Sequence, residues 1–278
     1  MEQLPLLLTG FIKSRIMKIT ALSLNIEWEN KEANFAKVES LLSQLDEAGD
    51  VVILPEMFST GFTMNKQLAE DAAGITLHWM LATAAKYNVA LIGSFPYTQN
   101  GREMFNRAYF VKPDGTWEHY DKRHLFRMGD ENNHYTRGDE MCITDYKGVK
   151  FALNICYDIR FPVWSRNRGN RYDVLVNIAN FPQVRIGAIE PLVRARAIEN
   201  ISYAVFVNRD GNDTLCVYSP SSQIYDFKGQ PASQEKFLND SSGFPTQVLT
   251  CTIDKDALED FRYRFPAWMD ADTFNVIR

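Results

Sequence analysis

The sequence predicts one α/β domain in which mixed β-sheets are covered by helices. Short, continuous apolar runs alternate with helical stretches, a pattern typical of buried strands between helices. In the middle and near the end of the chain, strand-like runs are separated by polar turns, so the sheets are expected to be mixed and not purely parallel. No linker, repeat or low-complexity tract divides the 278 residues. A single layered domain is therefore the simplest architecture.

The elements follow from local patterns in chain order. The first strand is predicted to begin at Met17, where the sequence reads MKITALSLNI. Runs typical of strands buried on both faces occupy residues 51–54, 90–93, 149–155, 174–178 and 204–207. Helices are predicted at residues 34–45, 75–87 and 191–200, the first of them from apolar residues at helical spacing. Hairpin-like strands are predicted at residues 108–111, 116–120, 215–218 and 248–253.

Composition argues against several classes of protein. The chain is 45% hydrophobic and 23% charged with a net charge of −5, which is ordinary for a globular protein and unlike a nucleic-acid binder. No apolar run reaches the roughly 20 residues that span a bilayer, so no membrane partner is expected. The four cysteines are scattered, and the four histidines lack a metal-binding spacing. We therefore expect reduced thiols, a cytoplasmic location, and neither a metal nor another cofactor.

Residues 1–16 are expected to form an extension ahead of the domain proper, which would span residues 17–278. The segment contains a brief apolar run but lacks the basic n-region and the small-residue cleavage site of a signal peptide. We expect it to contribute little to function.

Three segments carry side chains suited to catalysis. Glu56 follows a buried strand by one proline, at a position where α/β active sites are built. Lys122 and Glu131 lie in a long loop that contains a glycine, and loops of this kind carry function disproportionately often. Cys156 directly follows an apolar strand, where a turn would present its thiol to a pocket. Taken singly, each residue is more often a surface acid, a solvated loop residue or a buried structural cysteine.

Taken together, these residues favour acyl transfer. A cysteine nucleophile must lose its proton, and Glu56 could accept it if burial raises the pKa of that carboxyl toward neutrality. Lys122 could stabilise a tetrahedral oxyanion, with the backbone N–H of Tyr157 as a second donor. The predicted chemistry is attack on an amide carbon, expulsion of ammonia and hydrolysis of a thioester.

The segments LPEMFSTGF, YDKRHLF and CYDIRFP, in this order, resemble the nitrilase superfamily of carbon–nitrogen hydrolases. NIANFP and RARAIEN resemble two further blocks of that family. The resemblance implies a four-layer α-β-β-α sandwich that forms a homodimer. It also implies that Glu56 is the general base, Lys122 the oxyanion stabiliser and Cys156 the nucleophile. Glu131, seven residues before Gly138, resembles the second glutamate of the family, which orients the lysine.

Within the superfamily, these segments are most similar to the omega-amidase branch, whose enzymes hydrolyse the terminal amide of 2-oxo acids such as 2-oxoglutaramate. A small-molecule amide and water are therefore the expected partners. Hydrolysis of an N-carbamoyl amino acid or a nitrile remains an alternative that keeps the same chemistry. A non-catalytic binding protein with a vestigial triad is a further alternative.

Residues near the motifs are expected to bind the substrate. Arg160 or Arg185 could pair with a substrate carboxylate, although a structural salt bridge is an equal alternative for Arg160. Asn180 lies in the NIANFP segment and is assigned to the pocket with its neighbour Phe181. Apolar pocket walls are expected from Phe58, Phe62 and Phe181, with core packing as the other reading of each.

Two positions near the motifs have a less direct expected role. His124 is expected to pack or form a hydrogen bond near the Lys122 loop rather than act in catalysis. Ile189 stands where the family usually carries a tryptophan, so we expect it to reshape a wall of the pocket.

Overall fold

The computed structural model describes residues 15–276, which form fourteen strands and six α-helices. The strands are β1 (Ile16–Ser23), β2 (Val51–Ile53), β3 (Ala90–Gln99), β4 (Glu103–Val111), β5 (Trp117–Asp121), β6 (Ile143–Tyr146), β7 (Val149–Ile155), β8 (Val174–Ala179), β9 (Tyr203–Asn208), β10 (Gly211–Asn212), β11 (Val217–Tyr218), β12 (Gln223–Tyr225), β13 (Ser233–Asn239) and β14 (Pro245–Asp254). The helices are α1 (Lys31–Ser43), α2 (Ile75–Tyr87), α3 (Glu131–His134), α4 (Pro162–Ser165), α5 (Ile189–Asn200) and α6 (Lys255–Arg264).

Both large sheets are mixed. The seven-stranded sheet has the order β13-β14-β1-β2-β3-β4-β5, and the five-stranded sheet has the order β12-β9-β8-β7-β6. Strands β1, β2 and β3 run parallel, as do β7, β8 and β9, while the outer strands pair antiparallel. A small hairpin of β10 and β11 stands apart from both sheets.

Alternating side chains divide the interior into three apolar layers. In β2, Val51 and Ile53 contribute to the layer between the two sheets, whereas Val52 packs toward α1 and α2. On the other side of the molecule, Phe206 of β9 packs with Val193 of α5. The layers are thus helix, sheet, sheet and helix, which confirms the predicted four-layer α-β-β-α sandwich.

Most predicted elements are present, with shifted ends. The prediction of a helix at residues 75–87 matches α2, and α1 begins three residues earlier than predicted because the Asn30 side chain caps it by accepting the N–H of Ala33. Strand β13 was not predicted, because it is an edge strand whose mostly exposed side chains give no alternation of apolar and polar residues. Helix α6 was not predicted either, although Leu258 and Phe261 lie one turn apart and pack in the layer between the sheets, and Asp254 caps its start.

The proposed extension at residues 1–16 lies almost wholly outside the described residues. Of its members, Arg15 and Ile16 are described, and Ile16 already pairs with Asp254 as the first residue of β1. The strand therefore begins one residue before the predicted start at Met17. Across residues 15–276, the helices are too short or too polar for any of them to cross a membrane.

The sandwich brings the ends of several strands to one place. Glu56 follows β2, Lys122 directly follows β5, Cys156 directly follows β7 and Asn180 directly follows β8. Each of these residues therefore lies just beyond the carboxyl end of a strand, where side chains are free of the ladder and able to converge.

Gly138 supports this end of β5 at a backbone contact that excludes any side chain. Its N–H donates to the carbonyl of Lys122 at 2.9 Å, and a Cβ added to it would lie 2.2 Å from the carbonyl oxygen of Asp121. We expect Gly138→Ala to lower the free energy of unfolding by about 1–3 kcal/mol, because the backbone must move to accept the methyl group. Urea unfolding measures this loss.

Gly187→Ala is the matched control, because no atom lies within 4 Å of a Cβ at that position. Equal unfolding midpoints for the two variants would contradict the close packing at Gly138.

Candidate active site

A strained turn carries the thiol of Cys156. The residue follows β7 directly, and its φ of +46° lies in the left-handed region, which costs a non-glycine residue about 1–3 kcal/mol. Asp158 holds the turn, because its Oδ2 accepts the backbone N–H of Ile155 at 2.9 Å and the hydroxyl of Tyr120 at 2.8 Å. The sulfur is partly buried at this turn, in the kind of position that the sequence predicts.

His124 is bonded to Asp158. Its backbone N–H and its ring Nδ1 lie 2.9 Å and 2.7 Å from Asp158 Oδ1. The imidazole also stacks on Phe161, with ring centroids 3.8 Å apart. These contacts engage the ring in supporting the turn, in agreement with the expected packing role.

An ammonium group and two carboxylates lie together beyond the strand ends. Lys122 Nζ lies 2.7 Å from Glu56 Oε1, and 3.0 Å and 2.9 Å from the two carboxylate oxygens of Glu131. The side chains of all three residues are 0% exposed. The structure therefore brings together three residues that lie up to 75 positions apart in the sequence, Glu56 being first and Glu131 last.

Asn106 is a member of this cluster that the sequence did not reveal. Its Nδ2 donates to Glu56 Oε1 at 2.7 Å and to Glu131 Oε1 at 3.1 Å, so one amide joins both carboxylates. The residue lies within β4 and is fully buried. The available signal was an uncharged polar residue inside a run of buried strand residues, where a hydrogen-bonding partner is required.

Backbone N–H groups fix the remaining carboxylate oxygens. The N–H of Asn180 donates to Glu56 Oε2 at 2.8 Å, and the N–H of Phe126 donates to Glu131 Oε2 at 2.6 Å. The side-chain amide of Asn180 also donates to the carbonyl of Glu56 at 2.6 Å. Asn180 thus holds both the side chain and the backbone of Glu56.

The cluster and the protein interior together set the protonation of the thiol. Burial and then the negative charge of Glu56 raise the pKa of Cys156 well above its usual value, against the opposing charge of Lys122. Burial opposes the ammonium form of Lys122, but Glu131 and Glu56 raise the pKa of this lysine overall. At neutral pH the site therefore holds a protonated thiol beside a charged lysine.

Burial also raises the pKa of Glu131, although the charge of Lys122 works in the opposite direction.

Within residues 15–276, no cluster of three or more histidine, cysteine or acidic side chains is arranged to hold a metal ion.

A cavity of about 570 Å³ connects the cluster to the surface. Glu56, Lys122 and Cys156 line its buried end, while Met128 and Leu215, which are 83% and 84% exposed, lie at its mouth. The volume is in the range of small-molecule sites, about 300–1,000 Å³. Sequence reasoning had not assigned these further lining residues to the site: Trp28, Glu29, Asn65, Phe126, Asp213 and Tyr218.

Several residues expected in the pocket do line this cavity. They are Tyr157, Arg160, Asn180, Phe181, Phe62 and Arg185. The guanidinium of Arg160 lies 5.5 Å from the ring of Phe181, and that of Arg185 lies 5.0 Å from the ring of Phe126. Among residues 15–276, neither arginine forms an ion pair, so the structure gives Arg160 no structural salt bridge.

Phe58 lies elsewhere, and its assignment to the pocket was wrong. Its ring packs 6.3 Å from Phe35 and 5.6 Å from Trp79, in the fully buried layer between the seven-stranded sheet and its helices. Met57, with a φ of +46°, turns the chain between Glu56 and Phe58, and the two side chains lie in different surroundings.

Ile189 is likewise buried and does not line the cavity. It packs at the start of α5 in the same apolar cluster as Phe181, which does line the cavity. The cavity-lining residues Phe181 and Cys156 belong to or pack against this cluster, so Ile189 can affect the cavity wall only indirectly.

The comparison with known families agrees with this geometry. Residues 18–263 match the family model described as carbon-nitrogen hydrolase. The chain belongs to the carbon–nitrogen hydrolase family. This confirms the resemblance to the nitrilase superfamily, and the protein is therefore an enzyme that hydrolyses carbon–nitrogen bonds.

This carbon–nitrogen hydrolase has relatives whose names are more specific. It is 36% identical to Omega-amidase YafV of Escherichia coli strain K12, over 94% of this chain and 98% of the relative. It is 38% identical to Omega-amidase YafV of Yersinia enterocolitica, over 94% of this chain and 99% of the relative. The 2-oxoglutaramate amidase of Bacillus subtilis is 27% identical, over 91% and 96% of the two chains. These relatives support an amidase activity.

A solved structure shares the whole architecture. XC1258 from Xanthomonas campestris, described as a CN-hydrolase superfamily protein with an arsenic adduct in the active site, superposes with a TM-score of 0.84. It is 36% identical, and the match covers 94% of this chain and 99% of that protein.

The rate at which iodoacetamide alkylates a free cysteine, with a pKa of about 8.5, stops rising once the thiol is fully ionised. The alkylation rate of Cys156 is expected to keep rising at higher pH. The raised pKa of Cys156 means that a smaller fraction of its thiol is ionised at each pH than in a free cysteine. Peptide-resolved mass spectrometry gives the labelling rate of this residue between roughly pH 7 and pH 10.

Glu56→Gln removes the negative charge that raises the pKa of Cys156, so the midpoint of this profile should move to lower pH. Free cysteine in the same buffers controls for the reagent. A Cys156 midpoint at or below that of free cysteine would contradict the raised pKa of this thiol.

Proposed function

We propose that the protein hydrolyses the terminal amide of a small 2-oxo acid, such as 2-oxoglutaramate, through a thioester on Cys156. The observation that carries the proposal is the buried Lys122 ammonium, held between Glu56 and Glu131 in the cavity that Cys156 also lines. The names of the omega-amidase and 2-oxoglutaramate amidase relatives support the substrate class.

The first half of the reaction acylates the thiol. As the sulfur of Cys156 attacks the amide carbon, Glu56 accepts the thiol proton, so a thiolate is formed only during the attack. The carbonyl oxygen gains negative charge, which the ammonium of Lys122 and the N–H of Tyr157 stabilise. Glu56 then gives its proton to the amide nitrogen, the carbon–nitrogen bond breaks, and ammonia leaves.

The second half regenerates the enzyme with the same groups. Glu56 removes a proton from a water molecule, and the resulting hydroxide attacks the thioester carbon. Lys122 and Tyr157 again stabilise the oxyanion. The carbon–sulfur bond then breaks, the thiolate of Cys156 takes back the proton from Glu56, and the new carboxylic acid leaves and gives its own proton to water.

Three residues act in this proposal by positioning. Glu131 accepts from the ammonium of Lys122, and the amide of Asn106 donates to one oxygen of Glu56 and one oxygen of Glu131. These contacts hold the ammonium and the carboxylate of Glu56 at a fixed distance from each other. The N–H of Asn180 occupies Glu56 Oε2, which directs the other carboxylate oxygen toward Lys122.

The carboxylate of the substrate is assigned to Arg160 and Arg185. Both guanidinium groups line the cavity that contains Cys156, and both lack a carboxylate partner among the described residues. A 2-oxo acid amide has its amide at one end and its carboxylate at the other, so an amide at Cys156 leaves the carboxylate to the arginines.

Cys156→Ala is expected to lower ammonia release from 2-oxoglutaramate by about 10⁴-fold or more, because no other group can form the thioester. The assay should use a panel of amides, N-carbamoyl amino acids and nitriles. A thioester adduct of wild-type Cys156, captured by acid quench and mass spectrometry, is the direct signature of the mechanism.

Circular dichroism should show that Cys156→Ala stays folded. Cys216→Ala removes another partly exposed thiol from the lining of the same cavity and shows whether loss of any thiol there lowers turnover. Unchanged ammonia release by Cys156→Ala would contradict the thioester mechanism. Carbon dioxide released together with ammonia would instead indicate an N-carbamoyl substrate.

Arg160→Gln and Arg185→Gln are each expected to raise the KM for 2-oxoglutaramate by about tenfold or more, which is the size of effect expected when one hydrogen bond to a charged group is lost. Hydrolysis of propionamide, which has no carboxylate, should change little. Steady-state kinetics on both amides measures the difference.

Arg127→Gln removes an exposed arginine from a neighbouring turn outside the cavity lining and serves as the control. Equal losses on the charged and the neutral amide would show that the two arginines do not read the carboxylate.

A further inference from the structure

A second cavity, of about 460 Å³, is lined by four arginines. We call it the arginine cleft and define it by Arg123, Arg166, Arg168 and Arg171, with Trp164 and residues 275–276 near the C-terminus. Two acidic residues, Asp139 and Glu140, also line it. Among the described residues, the lining therefore carries two more positive than negative charges, in a chain whose net charge is −5.

Two of the four arginines already have a carboxylate partner in the protein. Arg123 donates to the carbonyl of Gly138 at 3.1 Å and contacts the carboxylate of Asp139. Arg166 donates to the carbonyl of Glu199 at 2.6 Å and lies 4.0 Å from the carboxylate of the same residue. These arginines form fixed walls of the cleft.

The other two arginines have no carboxylate partner within the described part of the chain. Arg168 donates to the carbonyl of Phe274 at 3.0 Å, and Arg171 lies 3.1 Å from the sulfur of Met141. Burial and then the positive charge of Arg168 lower the pKa of Arg171, so the two guanidinium groups repel each other. A bound anion would remove this repulsion.

We propose that the arginine cleft binds a small molecule that carries more than one oxyanion group, a polycarboxylate or a phosphate compound. Guanidinium groups offer planar pairs of N–H donors that match carboxylate and phosphate oxygens. The volume suits a small ligand rather than a polymer. The acidic net charge of the chain also disfavours a nucleic acid as the occupant.

A chain of buried hydrogen bonds joins the cleft to the turn of Cys156. Trp164, which lines the cleft, donates its indole N–H to the hydroxyl of Tyr120 at 3.0 Å. That hydroxyl donates to Asp158, which accepts the N–H of Ile155, the residue before the cysteine. An anion in the cleft therefore lies against the same network that holds the thiol.

Isothermal titration calorimetry with pyrophosphate and with citrate, at constant ionic strength, tests the site on the full chain. We expect about one ligand per chain, and a loss of affinity of about tenfold or more in Arg168→Gln and in Arg171→Gln. Binding of pyrophosphate alone or of citrate alone supports the site and assigns it to phosphate compounds or to polycarboxylates. Absence of binding for both probes up to 10 mM overturns the proposal.

Arg160→Gln and Arg194→Gln are the controls, because Arg160 lines the other cavity and Arg194 lies on α5 outside both. If Arg160→Gln lost affinity for the probe and Arg168→Gln kept it, the anion would bind in the cavity of Cys156, which would overturn the proposal. Arg171→Lys, which keeps the charge but not the planar donors, should bind with intermediate affinity. None of these titrations requires turnover, so their result is independent of the proposed amidase substrate.

The alkylation rate of Cys156 tests the connection. Saturating probe is expected to change this rate at least about twofold in the wild-type chain, through the network that ends at Ile155. Trp164→Phe should bind the probe but lose the effect, since its ring has no N–H for Tyr120. An unchanged rate in the wild-type chain rules out the connection. The same change in both proteins rules out the route through the Trp164 indole, because the backbone N–H of Arg123 also donates to the Tyr120 hydroxyl, at 3.1 Å.

Discussion

The side chain of Lys122 is fully buried, and the need to compensate its ammonium charge constrains the positions of the strand ends around it. A buried ion loses its hydration at a cost of several kcal/mol, and removing one partner of a buried ion pair leaves the other charge uncompensated. Glu56 and Glu131 provide that compensation, and Asn106 joins the two carboxylates. Because these four residues come from four separate segments, the cluster is complete only when β2, β4, β5 and α3 are all in place.

Much of the fold was visible in the sequence because it depends on local patterns. The parallel central strands read as apolar runs, and the three motif residues lay directly beyond such runs or in a long loop. Asn106 was missed, since nothing local distinguishes a polar residue that faces two carboxylates from one that faces a backbone group. Phe58 was misplaced because the left-handed backbone at Met57 redirects the chain, and sequence spacing does not record such a change.

The protonation state of the thiol was a second property that the sequence could not supply. The sequence suggested a base and a nucleophile, but the ionisation of the thiol depends on burial and on distances to the neighbouring charges. Burial, and after it the negative charge of Glu56, keeps the thiol of Cys156 protonated against the charge of Lys122, so the proposed mechanism depends on a base near the thiol. The same turn is braced from its other side by Asp158 and Tyr120.

The excess of one carboxylate in the buried cluster also bears on product release in the proposed reaction. An amide that enters the cavity is neutral at the end that reacts, and it meets no charge repulsion from Glu56 or Glu131. The acid formed from it carries a new negative charge at that same end, beside the two glutamates and with a single lysine to neutralise all three. In the proposed reaction, charge repulsion at this end therefore promotes departure of the acid and leaves the equilibrium between amide and acid unchanged.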